Sequence, residues 1–179
     1  TNAAPAAAAP WRPPADVPPE IAGLLAAARA AESRDSLSAA RTNYLALLAS
    51  PAATAMHAFV EQRLGDINVR LVASPRPMPG KTEYIVRPGD SLQALARRFG
   101  VTTALIVKGN NIHDPDRIQA GDRLFILDKP AFAIVISKGA NDLLLTMNGL
   151  FFKRYRVGTG QFGRTPAGTF RIAGKIENP

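Results

Sequence analysis

Hydrophobic positions between residues 18 and 74 recur at helical spacing. Apolar residues lie three or four positions apart in three runs, which are separated by the polar segment 32–35 and by Ser50-Pro51. The apolar positions are Ile21, Leu24, Leu25 and Ala28, then Leu37, Ala40, Tyr44, Leu47 and Leu48, then Met56, Phe59, Val60, Leu64, Ile67 and Leu71. The pattern predicts a helical hairpin with one more helix, with Ser50 capping the third helix and Pro51 in its first turn.

The segments on either side of this helical unit are rich in proline. Residues 1–17 are Ala/Pro-rich and predict an extended tether, with Trp11 as its only anchor. Residues 75–82 predict a Pro/Gly linker. The helices between them resemble a single tetratricopeptide-type repeat, which is too small for a solenoid, so we interpret residues 18–74 as a packing or spacer module. His57 has no second metal ligand nearby in the sequence and is interpreted as a surface or capping residue.

Residues 83–128 contain both strand-like and helix-like patterns of apolar residues. The segment Glu83–Arg87 predicts a strand, and a helix with one apolar face is expected to begin at Asp90-Ser91. Gly100 ends that helix, and a second helix runs through Ile106. A strand at Arg123–Leu127 completes a β-α-α-β unit. We therefore expect a two-stranded antiparallel sheet under two helices.

Residues 131–179 predict strands throughout. Strands are expected at Phe132–Ser137, Leu143–Met147, Leu150–Val157 and Thr169–Ile172, with a hairpin turn at Asn148-Gly149. Four such strands would leave apolar faces and an edge uncovered. We therefore expect an incomplete, mainly-β domain. The fold class predicted for the whole chain is α+β.

The composition excludes several kinds of functional site. The sequence has no cysteine, which excludes disulfides, thiolate metal sites and cysteine nucleophiles within it. The net charge of +8 comes mainly from residues 81–179, but no dense basic run or base-reading aromatic motif accompanies it. We therefore expect no nucleic-acid partner, no metal site and no cofactor.

The β-α-α-β unit resembles a LysM domain along its whole length. The matching positions are Tyr84, Val86, Pro88, Gly89, Asp90, Leu92, Ala96, Phe99, Ile106, Asn110, Ile118, Gly121, Leu124 and Ile126. The resemblance implies that residues 83–128 bind glycans containing N-acetylglucosamine, such as peptidoglycan or chitin, in a shallow groove between two loops.

The resemblance also implies the residues that form the groove. They are Gly89, Asp90, Ser91 and Leu92 in the first loop and Asn111, Ile112, His113, Asp114 and Pro115 in the second. Leu92, Ile112 and Pro115 are expected to contact sugar ring faces, while loop backbone groups pair with acetamido groups. A structural role is compatible with this one, because Asp90 can cap the helix with Gln93 completing a capping box.

The last segment resembles the start of a YkuD-type L,D-transpeptidase catalytic domain. The similarity lies in the strands from Ile134 to Met147, the loop 157–160 and the stretch 165–170. It implies acyl transfer between peptidoglycan peptides through a cysteine thiolate activated by histidine. The histidine and cysteine motifs of that family are not in this sequence, so no catalytic residue is assigned. We expect Pro179 not to be the natural end, with the missing C-terminal half of the domain as a partner.

Two short motifs suggest other enzymes but lack the required context. Residues 89–92 spell the Gly-Asp-Ser-Leu signature of certain esterases, yet neither histidine follows an aspartate by three positions. Gly158, Gly160 and Gly163 match a dinucleotide fingerprint, but Pro166 interrupts the helix that the fingerprint needs.

The sequence leaves two hypotheses of function. In the first, the chain is the LysM-bearing N-terminal part of an exported L,D-transpeptidase that cross-links or remodels peptidoglycan. In the second, it is a non-catalytic LysM protein that binds peptidoglycan or chitin. Both imply an extracytoplasmic location in the cell envelope, reached by a signal or anchor that this sequence does not contain.

Overall fold

The computed structural model describes residues 17–160 and 165–172. The helices of this part span Pro19–Ser33 (α1), Leu37–Ala49 (α2), His57–Val72 (α3), Leu92–Phe99 (α4) and Thr103–Gly109 (α5), with a 3₁₀ helix over Pro51–Met56. The strands span Lys81–Ile85 (β1), Arg123–Leu127 (β2), Phe132–Ser137 (β3), Asp142–Met147 (β4) and Leu150–Arg156 (β5). The predicted α+β class is confirmed. Residues 1–16 of the predicted tether, with Trp11, the Gly163 turn and residues 173–179 lie outside the described residues, whereas Val17 packs against the helical core.

Helices α1, α2 and α3 pack on one another around apolar side chains at the predicted spacing. Tyr44, Leu64 and Leu71 are fully buried at their centre. Ser50 occupies the predicted cap position but makes no side-chain cap hydrogen bond, and Pro51 opens the 3₁₀ helix instead of α3. His57, interpreted as a surface or capping residue, is the C-cap of the 3₁₀ helix, where its backbone N–H bonds the Thr54 carbonyl. Its side chain is half-buried rather than at the surface, and its Nε2 has no hydrogen-bond partner among the described residues.

The LysM-like unit has a core of its own. Strands β1 and β2 pair antiparallel, and α4 and α5 lie against them. Gly100 ends α4 in the left-handed conformation (φ 63°), which a glycine adopts without strain. The core residues are Tyr84, Val86, Leu92, Leu95, Ala96, Phe99, Ile106, Leu124 and Ile126. All of them come from this unit, so its packing is local in sequence.

Strands β3, β4 and β5 form a second antiparallel sheet in that order. Asn148 and Gly149 have φ values of 52° and 76°, as a two-residue hairpin turn requires. The strand predicted at Thr169–Ile172 is wrong: this stretch is irregular and exposed. In the part of the chain that is described, no helix is long and apolar enough to cross a membrane.

Helix α3 lies along β5, the edge strand of this sheet. Met147 and Phe152 belong to the same buried cluster as the helical core. Two ion pairs flank the contact: Lys153 lies 2.8 Å from Asp66 and Arg154 lies 2.7 Å from Glu61. The expectation that nothing covers the apolar strands is therefore wrong on the β5 side. Strand β3, at the opposite edge, is exposed along its whole length.

Candidate functional site

The loop that follows β1 is held by the carboxylate of Asp90. This carboxylate accepts hydrogen bonds of 2.8 Å from the Tyr84 hydroxyl and 2.8 Å from the Arg87 backbone N–H. These bonds lower the pKa of Asp90. Arg98 lies over the Tyr84 ring at 5.2 Å and adds a cation–π contact. Asp90 therefore fixes the loop conformation and does not cap α4.

Ser91, rather than Asp90, caps α4. Its hydroxyl accepts a 3.2 Å hydrogen bond from the Ala94 backbone N–H. The capping box predicted for Asp90 and Gln93 is consequently wrong by one position. Leu92 is only 3% exposed and packs in the LysM-like core, which leaves its side chain no surface for a sugar ring. Among the first-loop residues predicted for glycan contact, Gly89 is exposed and Asp90 and Ser91 are partly exposed.

The second loop begins after α5 with Asn110 and Asn111, where the chain changes direction. Asn110 anchors the loop to β2, since its side chain exchanges hydrogen bonds with both backbone groups of Phe125. Asn111 follows in the left-handed conformation with φ 53°. The Asp114 carboxylate then accepts a bond from the Asp116 backbone N–H and pairs with Arg117 at 3.1 Å. The loop is thus ordered by its own polar groups while its outer surface stays accessible.

An open groove of about 340 Å³ lies beside this second loop. Its walls are Asn110, Asn111, Ile112, His113, Asp114, Arg117, Ile118, Asp122, Arg123 and Leu124. The groove therefore brings together four of the five second-loop residues predicted as a glycan site. Pro115 and the first-loop residues 89–92 are not among the lining residues.

Sequence reasoning missed the far wall of this groove. Arg117 and Ile118 continue the second loop, and Arg123 begins β2. Asp122 supports that wall, because its carboxylate accepts a 2.8 Å hydrogen bond from the Gln119 backbone N–H. Arg117 could have been predicted, because it pairs with Asp114 only three positions before it. Asp122 and Arg123 carry no such local signal, and only the folded structure brings them to the same groove.

The groove presents polar groups beside apolar side chains. It combines amide, guanidinium and carboxylate groups with the half-buried side chains of Ile112 and Ile118. A polar rim around a small apolar floor is the composition that a sugar with hydroxyl groups and an apolar ring face requires. Among the described residues no group of three metal-capable side chains comes together.

Comparison with protein families identifies the domain to which the groove belongs. The family model described as "LysM domain" matches residues 84–127. Residues 84–127 form a LysM domain. The domain predicted from the sequence is confirmed, and the groove belongs to it.

Two curated proteins of Bacillus subtilis (strain 168) are similar to parts of the chain. "N-acetylmuramoyl-L-alanine amidase XlyA" is 45% identical over 47 residues, which are 26% of this chain and 16% of that protein. "Putative L,D-transpeptidase YkuD" is 30% identical over 102 residues, which are 54% of this chain and 62% of that protein. The chain thus spans less than two thirds of the length of either relative.

Among solved structures, the chain is similar to the one titled "Crystal structure of MoCVNH3 variant (Mo0v) in complex with (N-GlcNAc)4". It is 24% identical and covers 42% of this chain and 54% of that chain, with a TM-score of 0.28. At this TM-score the similarity supports no conclusion about the fold or the site of this protein.

Proposed function

We propose that this chain is the wall-binding portion of a peptidoglycan-remodelling L,D-transpeptidase of the YkuD type. In this proposal the LysM domain binds N-acetylglucosamine-containing glycan strands of peptidoglycan. The observation that carries the proposal is the open groove at residues 111–114 within a LysM domain. The chain would act outside the cytoplasm, in the cell envelope.

The groove supports recognition of a polymer of neutral sugars. It is open to solvent, so a long glycan strand can lie in it without threading an end. Backbone groups of the loop and the Asn111 side chain offer hydrogen bonds to acetamido groups, while Ile112 offers an apolar contact to a ring face. A single shallow groove buries little area, which gives weak binding, in the range of about micromolar to millimolar.

The proposed function assigns the glycan-contacting residues and the domains of the chain. We propose that Asn111, Ile112, His113 and Asp114 contact glycan, joined by Arg117 and Arg123 from the far wall. Gly89, Asp90 and Ser91 support the adjacent loop, and Pro115 flanks the second. The domains are residues 18–74 as a helical unit, 83–128 as LysM and 131–179 as the first part of a catalytic domain.

The transpeptidase part of the proposal is supported by the order of the segments and by the relative YkuD. The similarity to that protein extends over 102 residues, which is longer than the LysM domain alone. The sequence contains no cysteine, so the acyl-transfer step by a cysteine nucleophile cannot occur on these residues. The described chain therefore contributes binding and positioning, and the nucleophile would lie in a further part of the enzyme.

The binding proposal is tested by co-sedimentation of the purified chain with insoluble peptidoglycan at low salt. Ile112→Lys places a charge on the groove floor and should abolish sedimentation. Ile136→Lys is the matched control, since Ile136 is 51% exposed on β3, outside the groove. Circular dichroism establishes that both variants are folded. Equal sedimentation of wild type and Ile112→Lys would contradict a glycan site in this groove.

A second candidate function is a non-catalytic glycan-binding protein. It is favoured by the match of residues 84–127 to the LysM family model, which is a match to a binding domain. Sequencing the gene downstream of codon 179 separates the two candidates. A continuing frame with histidine and cysteine motifs, whose product cross-links peptidoglycan peptides and loses this activity on Cys→Ser substitution, supports the transpeptidase. A stop codon after codon 179 leaves the binding protein.

A further inference from the structure

A second open groove, of about 560 Å³, lies between α1, α2 and α3, outside the LysM domain. Its lining includes Arg29 and Glu32 from α1, Tyr44 from α2, and Phe59, Arg63 and Arg70 from α3. Three guanidinium groups thus face one concave surface that contains a single carboxylate. We refer to it as the helical groove.

Protein groups already surround the carboxylate of the helical groove. The side chain of Glu32 is only 14% exposed and pairs with Arg63. The same carboxylate accepts a 3.0 Å hydrogen bond from the Tyr44 hydroxyl. Burial and this carboxylate raise the pKa of Tyr44 to about 12, so Tyr44 remains a donor at neutral pH. Glu32 therefore has little capacity to neutralise the remaining cations.

The other two arginines of the helical groove retain free donors. Arg29 lies 5.4 Å over the ring of Phe59, and no carboxylate in the described ranges 17–160 and 165–172 lies within ion-pair distance of it. Arg70 donates a 2.6 Å hydrogen bond to Asp35 through one nitrogen only. Asp35 is shared with a second arginine, Arg76. Guanidinium charge therefore exceeds carboxylate charge around this groove.

We infer that the helical groove binds a short peptide carrying several carboxylates, and specifically the acidic stem peptides of peptidoglycan. A guanidinium presents paired N–H donors that match the two oxygens of a carboxylate. Arg29 lies over Phe59 whereas Arg70 bonds Asp35, so the two guanidinium groups can each take a different carboxylate of one peptide.

The choice of stem peptides rests on the proposed function, in which the LysM domain of the same chain holds the glycan. Stem peptides are attached to that glycan and carry free carboxylates on consecutive residues. A weak LysM contact and a weak peptide contact on one chain reinforce each other through effective concentration. The helical unit then becomes a second recognition module.

The test uses the free tetrapeptide L-Ala–γ-D-Glu–meso-diaminopimelate–D-Ala, which carries no sugar, in titration calorimetry with the whole chain. We expect binding that weakens about tenfold in Arg29→Gln, the loss of one charge-assisted contact. Arg29 has no ion pair within the described part of the chain, so this variant should fold. Arg97→Gln, on an exposed part of α4, should bind like wild type.

Three results would overturn the inference: no detectable heat at millimolar peptide, equal affinity of Arg29→Gln and wild type, or complete competition by equimolar inorganic phosphate. The phosphate result would identify a general anion site. N-acetylglucosamine tetramer, titrated separately, reports on the LysM groove. Sugar binding without peptide binding rejects the inference and leaves the proposed function intact. Peptide binding without sugar binding rejects the LysM proposal and retains a peptide site.

Discussion

The side chain of Asn68 binds the backbone carbonyl of Phe152, donating a 2.8 Å hydrogen bond from α3 to the edge strand β5. Its oxygen accepts a 2.8 Å hydrogen bond from Nε of Arg41 on α2. Asn68 is fully buried and Arg41 is 5% exposed. One side chain therefore joins two helices and a sheet, satisfying an edge carbonyl that would otherwise be buried without a partner.

Asn68→Ala should destabilise the protein by about 3 kcal/mol, because it leaves both the Phe152 carbonyl and the Arg41 guanidinium without a partner. Burial lowers the pKa of Arg41, which shows that its charged form is already disfavoured by desolvation. Removing its hydrogen-bond acceptor makes that buried charge less favourable still. Urea unfolding followed by circular dichroism measures the difference. Gln93→Ala, at an exposed position on α4, should change stability by less than about 0.5 kcal/mol. A similar small change in Asn68→Ala would show that the network contributes little.

Ser91→Ala should lower stability by about 1 kcal/mol through loss of the cap of α4. Ser91→Thr keeps an acceptor at the same position and should retain most of the stability. Thermal unfolding of the two variants beside wild type measures the effect. If Ser91→Ala unfolds at the wild-type temperature, the cap assignment is wrong.

Lys81 should give the protein a rise in stability with increasing pH. Its ammonium donates hydrogen bonds to the Leu71 and Ser74 carbonyls at the end of α3, and burial lowers its pKa from 10.5 to about 8. Between these pH values the unfolded chain binds a proton that the folded chain has released, so stability increases with pH. Above pH 10 the opposite effect begins, because Tyr44 retains its proton up to about 12 in the folded protein.

Urea midpoints across the range from about pH 7 to about pH 10 measure this dependence. Lys81→Met should remove the rise, whereas Lys108→Met, which changes an exposed lysine of α5, should keep it. An unchanged slope in Lys81→Met would assign the rise to another group.

Deletion of residues 17–74 should leave the LysM domain folded and unfold the β3–β5 sheet. The LysM core contains no residue from α1, α2 or α3, while Met147 and Phe152 are buried in the cluster that those three helices form. Hydrogen exchange should therefore remain slow at Ile126 and become fast at Met147. Sedimentation with peptidoglycan should persist. Slow exchange at Met147 in the deletion variant would show that the sheet does not need α3.

The candidate site was predictable in part. The second loop was predicted because its residues follow the LysM pattern in order along the chain, and the structure brings four of its five residues together in the groove. Leu92 was misjudged because the same residue type serves a helix face and a sugar contact, and only its 3% exposure separates them. Asp90 was predicted as the cap in place of Ser91 for a similar reason, since Asp and Ser are both good caps. In the structure the Asp90 carboxylate accepts a hydrogen bond from the Tyr84 hydroxyl, and Ser91 caps the helix.

The sequence by itself determined the features that depend on neighbouring residues. Apolar spacing identified the three N-terminal helices, and Asn148-Gly149 determined the β4–β5 hairpin. The LysM unit is also local, because its strands pair through only 45 residues or so of chain. Only the tertiary structure decided that α3 covers β5: Asn68 and Phe152 are 84 positions apart, and no periodicity relates them. The helical groove has the same origin, since α1 and α3 both pack on α2 and thereby place Arg29, Arg63 and Arg70 around one concave surface.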